Sequence, residues 1–396
     1  MMRSNRRRTK ESTAGGGNKN SICKPRAGRH WRSPKATAPE VGETIARARD
    51  LAEQIDRPEH LVPLLRAQWA YHLIRSEPKQ ALSIAEQMEK IGAAQNDVAA
   101  RLQGRRANGV TCFYLGEFVA ARSLLEQCHG LGDPAHRAGA GITDPYATML
   151  AHLACILAYL GYIDQARSRL NEAMSEARQL RHAQTLADVL TQAIGVGWIT
   201  CSPDVQLYAE ELSALSTEQG FPFSLSWALA GRGWSLTALG QAAEGLTLLT
   251  RALASLRETG SVVATQYLLM KLAEAYGRLG RSLEGLDRLP EAEQIIEATE
   301  ERRDEADLHR VRGDLLIAVG DRAAAEKSYN RAFAVAERQR AKLLELRVAR
   351  SLAHHWRDQG KRIEAGALLA SIYGWFTEGF DAPVLKDAKA LLDELQ

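Results

Sequence analysis

The chain has 396 residues, of which 45% are hydrophobic and 25% charged, and a formal charge of +3. That balance supplies a core and excludes a collagen-like or wholly disordered polymer. Five cysteines without a C-x-x-C pair exclude a disulfide-stapled scaffold and predict reduced, buried thiols in a cytoplasmic protein, and the longest apolar run, 149–163, is too short to span a bilayer.

Residues 1–38 stand apart in composition. Eleven Lys and Arg face Glu11 alone, a net +10 that leaves −7 on the remainder of the chain. With Gly15, Gly16 and Gly17 and almost no aliphatic residues, this segment is predicted to be a disordered basic tail. Its charge suits phosphates, so a nucleic-acid role rests on it alone. No apolar stretch follows Arg6, Arg7 and Arg8, so they do not form an export signal.

Order begins at Pro39. Val41, Ile45, Ala48, Leu51, Ala52 and Ile55 fall at helical spacing and predict one amphipathic helix over 41–57. In the repeat frame of the following chain it is the second helix of a hairpin that has no first, so its apolar stripe is expected to support self-association.

The remaining chain, 39–396, repeats one pattern. A small residue at Gly233, Ala273, Gly313 and Ala353 is followed at +3 by Leu236, Tyr276, Leu316 and Trp356, and at +7 by Gly240, Gly280, Gly320 and Gly360. Gly245, Gly285, Ala325 and Ala365 come five residues later, then Leu249, Leu289, Tyr329 and Leu369. Small residues let two antiparallel helices approach closely, bulky ones fill the space beside them, and glycine turns the chain between them. The same frame extends back through Ala193 (with its turn at Thr200), Ala154, Gly109 and Trp69 (with its turn at Ser76). About eight hairpins result, at a period near 40, with five extra residues in the loop 131–143. One hairpin cannot bury its own apolar face, so neighbours must stack. This order of small and bulky residues resembles a tetratricopeptide repeat, which implies an all-α, right-handed superhelical solenoid.

A second resemblance rests on Tyr373, Gly374, Trp375, Phe376, Thr377, Glu378, Gly379, Phe380 and Asp381, the run Leu385–Leu395, and the strings 113–117, 160–166 and 218–223. These are similar to the tetratricopeptide region, of the kind found in maltose-type transcription activators, at the C-terminal end of bacterial nucleotide cyclase and STAND-type ATPase signalling proteins. The resemblance implies a regulatory region separated from its effector domains. No G-x-x-x-x-G-K-[ST] loop is present to hold nucleotide phosphates, and no helix-turn-helix follows the repeats.

No catalytic constellation, cofactor motif or metal-ligand spacing stands out. Tetratricopeptide geometry places the residues six and three before each anchor, and one and four after it, on the concave surface. Around the last four anchors this nominates Trp227, Trp234, Tyr267 and Met270 as an aromatic and apolar stretch, and Arg310, Arg347, Arg350, His354 and Arg357 as a basic end fitted to an acidic ligand. The expected function is a non-catalytic interaction or ligand-sensing scaffold with a protein or peptide partner, such as a separately encoded effector domain. A remnant cyclase or ATPase and a nucleic-acid-associated regulator are the alternatives.

Overall fold

The computed structural model describes residues 39–54, 58–137 and 142–395. The basic segment 1–38, Ile55 and residues 138–141 of the long loop lie outside the described residues. The helices are α1 (Pro39–Gln54), α2 (Pro58–Ile74), α3 (Pro78–Ala94), α4 (Val98–Leu115), α5 (Phe118–Glu126), α6 (Pro134–Arg137), α7 (Pro145–Leu160), α8 (Ile163–Leu180), α9 (Ala183–Thr200) and α10 (Val205–Gln219). They continue with α11 (Pro222–Ala238), α12 (Ala242–Glu258), α13 (Thr265–Arg278), α14 (Ser282–Leu286), α15 (Leu289–Thr299), α16 (Glu305–Ala318), α17 (Arg322–Arg338), α18 (Lys342–Asp358), α19 (Arg362–Tyr373) and α20 (Pro383–Leu395). The architecture is a helical-repeat solenoid of stacked hairpins, and no strand occurs among the described residues. The first helices of the hairpins are α2, α4, α7, α9, α11, α13, α16 and α18; α20 packs against the last of them.

Local chemistry sets the helix ends. Asp97, Asp144 and Asp321 cap α4, α7 and α17 by accepting backbone N–H bonds, and Pro78, Pro145 and Pro222 occupy first helical positions, where a missing N–H costs nothing. Pro290 restarts the chain after α14, splitting one helix of its hairpin into α14 and α15. The turns inside hairpins carry a left-handed residue at Ser76, Gly116, Gly161, Cys201, Gly240, Gly280, Gly320 and Gly360. The fourth turn therefore falls at Cys201 and not at Thr200, so the anchor seven residues before it is Ile194 in place of Ala193. Gly220, Gly260, Glu300 and Arg340 place a second left-handed residue between hairpins, again 40 apart. Two seventeen-residue helices such as α17 and α18, each closed by a three-residue turn, account for the period.

α13 and α16 are only 14 residues long, because the segments before them leave the helix and dock on an earlier part of the coil. The backbone N–H groups of Val262 and Val263 both donate to the Ile74 carbonyl at 3.1 Å. Glu301, almost fully buried, accepts from Ser76 Oγ at 2.7 Å and from the Ala264 N–H. Farther along, Arg303 N donates to Tyr114 O, and Gln339 Nε2 reaches Arg302 O beside Gly116. Glu378 caps the start of α8, accepting from the N–H groups of Asp164 and Gln165, while Gly379 N donates to Asp164 Oδ2. Residues roughly 190 to 225 apart in sequence are thus bonded, and one superhelical turn is closed onto the next.

Burial makes several side chains sensitive to acid. His309 on α16 is 2% exposed, and desolvation, with Arg331 and Arg312 nearby, lowers its pKa to about 4. A depressed imidazole contributes stability that is complete above the ordinary pKa near 6.5 and is lost as pH falls toward 4. Acidification over that window is expected to remove roughly 3 kcal/mol through this group. Urea titrations of wild type and His309→Gln check it: the variant should lose correspondingly less stability between pH 6.5 and 4.

Candidate functional site

The inner faces of α2, α4, α7, α9, α11 and α13 converge on a chamber of about 260 Å³. Each helix contributes residues at spacings of three and four, which share one face: Arg106, Val110 and Phe113 from α4, His152, Cys155 and Tyr159 from α7, and Asp188, Thr191, Gly195 and Trp198 from α9. Trp69, Trp227 and Tyr267 complete an aromatic wall, in which the Trp198 ring lies 4.9 Å from Tyr267 and 5.8 Å from Trp227. Trp69 donates its indole N–H to Thr111 Oγ1 at 3.0 Å. The indole N–H groups of Trp198 and Trp227 are buried with no acceptor among the described residues.

The polar groups of the chamber are few. Arg106 is 5% exposed and lies 5.3 Å from the Trp69 ring, with Nη1 donating weakly to Thr148 Oγ1 at 3.4 Å and Nε without a partner. Arg66 sits nearby, and burial together with Arg106 lowers its pKa to about 10. Burial pushes the Asp188 carboxyl up to about 6. His152 bonds the Thr148 carbonyl through Nδ1, and burial lowers its pKa to about 4, so it is neutral at pH 7. Arg303 lies about 5 Å from the Phe113 and Tyr114 rings and forms a two-pronged contact with Asp304 at 3.0 and 2.8 Å, whose other oxygen takes the Tyr159 hydroxyl at 2.6 Å. Cys155 is a thiol pushed up to about 12 by burial.

The residues nominated from sequence divide between this chamber, the core and a second cavity. Trp227 and Tyr267 line the chamber. Met270 is fully buried in the core instead of facing a groove. Trp234, Arg310, Arg347 and Arg350 line the second cavity, of about 530 Å³, with Trp198 forming part of both walls. His354 and Arg357 lie beyond it toward α20, His354 exposed and Arg357 half-buried. The arginines there already hold carboxylates. Arg310 bonds Asp307 at 2.5 Å, Asp314 at 2.5 Å and Glu274 at 2.6 Å. Arg347 meets Asp307 at 3.2 Å and donates to the Trp198 and Ile199 carbonyls. Arg350 pairs with Asp387 and Arg357 with Glu394, both from α20, which folds back over α18. The end expected to be basic is therefore charge-compensated within the chain. Among the described residues no cluster of His, Cys, Asp and Glu is placed to hold a metal, and no helix is long and apolar enough to cross a membrane.

No family model matches the sequence, and no curated protein matches it. Solved structures match in fold. A Rap protein complexed with Competence and Sporulation Factor aligns with a TM-score of 0.53 at 12% identity, covering 84% of this chain and 97% of that one. The apo form of RapI aligns at 0.48 and 11%, covering 74% and 99%. A STAND protein with a tetratricopeptide-repeat sensor from Pyrococcus horikoshii aligns at 0.41 and 14%, covering 90% of this chain and 54% of that chain. At such identities the likeness is one of fold: this is a tetratricopeptide-like helical-repeat protein.

Proposed function

We propose that the chain is a non-catalytic sensing module that receives a short peptide, or a comparably small ligand, inside its coil and reports occupancy to a protein partner. The observation that carries this reading is the chamber, built from six successive inner helices and walled by Trp69, Trp198, Trp227 and Tyr267 around a few inward polar groups. Ligand sites have this composition, mostly apolar with a small number of placed polar atoms. A relative in fold was solved complexed with Competence and Sporulation Factor, which supports a ligand-bearing role for the same architecture. The partner fits a separately encoded cyclase- or ATPase-type effector, in keeping with the resemblance of 373–395.

Gly195 provides the test. It lines the chamber, and a Cβ built there meets only Cys155 Sγ at an ordinary 3.6 Å. Gly195→Leu should therefore keep the fold, gaining roughly 0.5–0.8 kcal/mol of helix propensity, while filling the chamber. Short peptides selected from a random library on the wild type, and titrated by tryptophan fluorescence, are expected to lose binding to Gly195→Leu. Equal binding by both proteins would remove the chamber as the site.

A further inference from the structure

Four arginines are buried among the described residues: Arg106, Arg303, Arg310 and Arg347. Three carry a carboxylate, Arg303 from Asp304, Arg310 from Asp307, Asp314 and Glu274, and Arg347 from Asp307. Arg106 has none within ion-pair distance, only the long bond to Thr148 and the face of Trp69. A buried guanidinium without an anion is costly to keep, and the other three show that this fold pairs such groups as a rule. Among these four only Arg106 leaves its Nε unpartnered; Arg66, whose pKa is lowered first by burial and then by the charge of Arg106, adds positive potential nearby. A buried guanidinium with an unpartnered N–H in the wall of an apolar, aromatic chamber is the makings of an anion site.

From this geometry we infer that Arg106 is the anchor for a carboxylate carried on an apolar or aromatic body, which is the ligand of the chamber. The inference rests on the sensing role proposed above and specifies the chemistry of the ligand. A guanidinium binds a carboxylate through two parallel N–H bonds, and the free Nε offers one edge of that fork. Trp69 and Trp198 supply faces for the body of the ligand. A chamber of about 260 Å³ lies just below the roughly 300–1,000 Å³ of drug-sized sites, so it takes a small aromatic acid or the last residue or two of a peptide. Both present the same group to Arg106.

The surroundings set the pH response. Asp188 is the carboxylate lining the chamber near Arg106, and it titrates near pH 6. Asp144 also faces Arg106, but one of its oxygens caps α7 by accepting from Tyr146 and Ala147. His152 stays neutral until about pH 4, Cys128, Cys155, Tyr114 and Tyr159 stay protonated, and Arg303 is held by Asp304. Asp188 thus opposes an incoming anion above pH 6 and ceases to do so below it. Carboxylate binding should tighten as pH falls from 7.5 to 5.5, and Asp188→Asn should bind tightly throughout.

The experiment uses two probe pairs on the full chain: indole-3-acetate against indole-3-acetamide, and an N-acetylated pentapeptide ending in phenylalanine with a free against an amidated C-terminus. Titration by isothermal calorimetry should show one acid binding about tenfold or more tighter than its amide. Arg106→Gln should erase that preference, with a melting temperature no lower than wild type. A preference confined to the indole pair identifies a small acid, and one confined to the pentapeptide identifies a peptide terminus. Equal binding of acid and amide, survival of the preference in Arg106→Gln, or no saturable binding of either acid up to millimolar concentration overturns the assignment. If Gly195→Leu abolishes peptide binding while Arg106→Gln leaves it untouched, the chamber stands and the anchor falls. If Gly195→Leu leaves it untouched, the sensing role itself fails.

Discussion

Replacing Asp304 with alanine is expected to cost about 3–5 kcal/mol of folding stability, because it leaves the Arg303 guanidinium buried without its counter-charge. Arg303 and Asp304 are 9% and 2% exposed and bond each other twice, and Tyr159 would lose its acceptor at the same stroke. Replacing both partners removes the stranded charge, so Arg303→Met with Asp304→Ala should recover most of the loss. Urea unfolding followed by far-ultraviolet circular dichroism measures both. A single substitution that costs under 1 kcal/mol would show that water or a shifted side chain satisfies Arg303 and that the pair contributes little.

Gly313→Leu is expected to destabilise by about 3 kcal/mol, the upper part of the range for overpacked cores. A Cβ at this position would sit no farther than 2.8 Å from three ring atoms of Tyr329. That ring cannot step aside, since it is almost fully buried and its hydroxyl donates to Asp314 at 2.7 Å. Gly366 supplies the contrast within the same repeat family, because a Cβ there meets only Leu395 at 3.7 Å. Gly366→Ala should raise stability by roughly 0.5–1 kcal/mol, as expected for a helix interior. Thermal melts showing Gly313→Leu at the wild-type midpoint would refute the close crossing of α16 and α17.

The close crossings were legible in the sequence because glycine and alanine at fixed offsets leave a periodic mark. Gly313 faces Tyr329, and Gly233 faces Gly245, just where the repeat placed small residues. The frame slipped by one residue at α9, where Cys201 takes the left-handed conformation at φ 58°; a non-glycine turn residue gives no signal. The concave-surface offsets, applied only from Trp227 onward, pointed to the charge-compensated end. Applied to Gly109 the same offsets name Gln103, Arg106, Val110 and Phe113, and the last three line the chamber. Arg106 could therefore have been singled out, but its lack of a carboxylate could not, because pairing depends on residues far away in sequence. Asp387 and Glu394 illustrate the converse: α20 reads as an ordinary amphipathic helix, and only its return over α18 turns it into the source of charge for Arg350 and Arg357. The string 373–381 likewise proves to include the cap of α8, supplied by Glu378.

The contacts of Ile74 with Val262 and Val263, and of Ser76 with Glu301, change what kind of object a repeat array is. In an open solenoid each unit touches only its neighbours, so the array can fray from either end and be shortened unit by unit. Here the loops before α13 and α16 also support the turn after α2, and deleting the last hairpins would strip a surface from the first. Chain closure over roughly 190 residues must precede those bonds, which raises the contact order and slows folding relative to a stack of local hairpins. In return, hairpins on successive turns of the coil are expected to melt together, since unzipping the first hairpin must also break its bonds to the loops before α13 and α16.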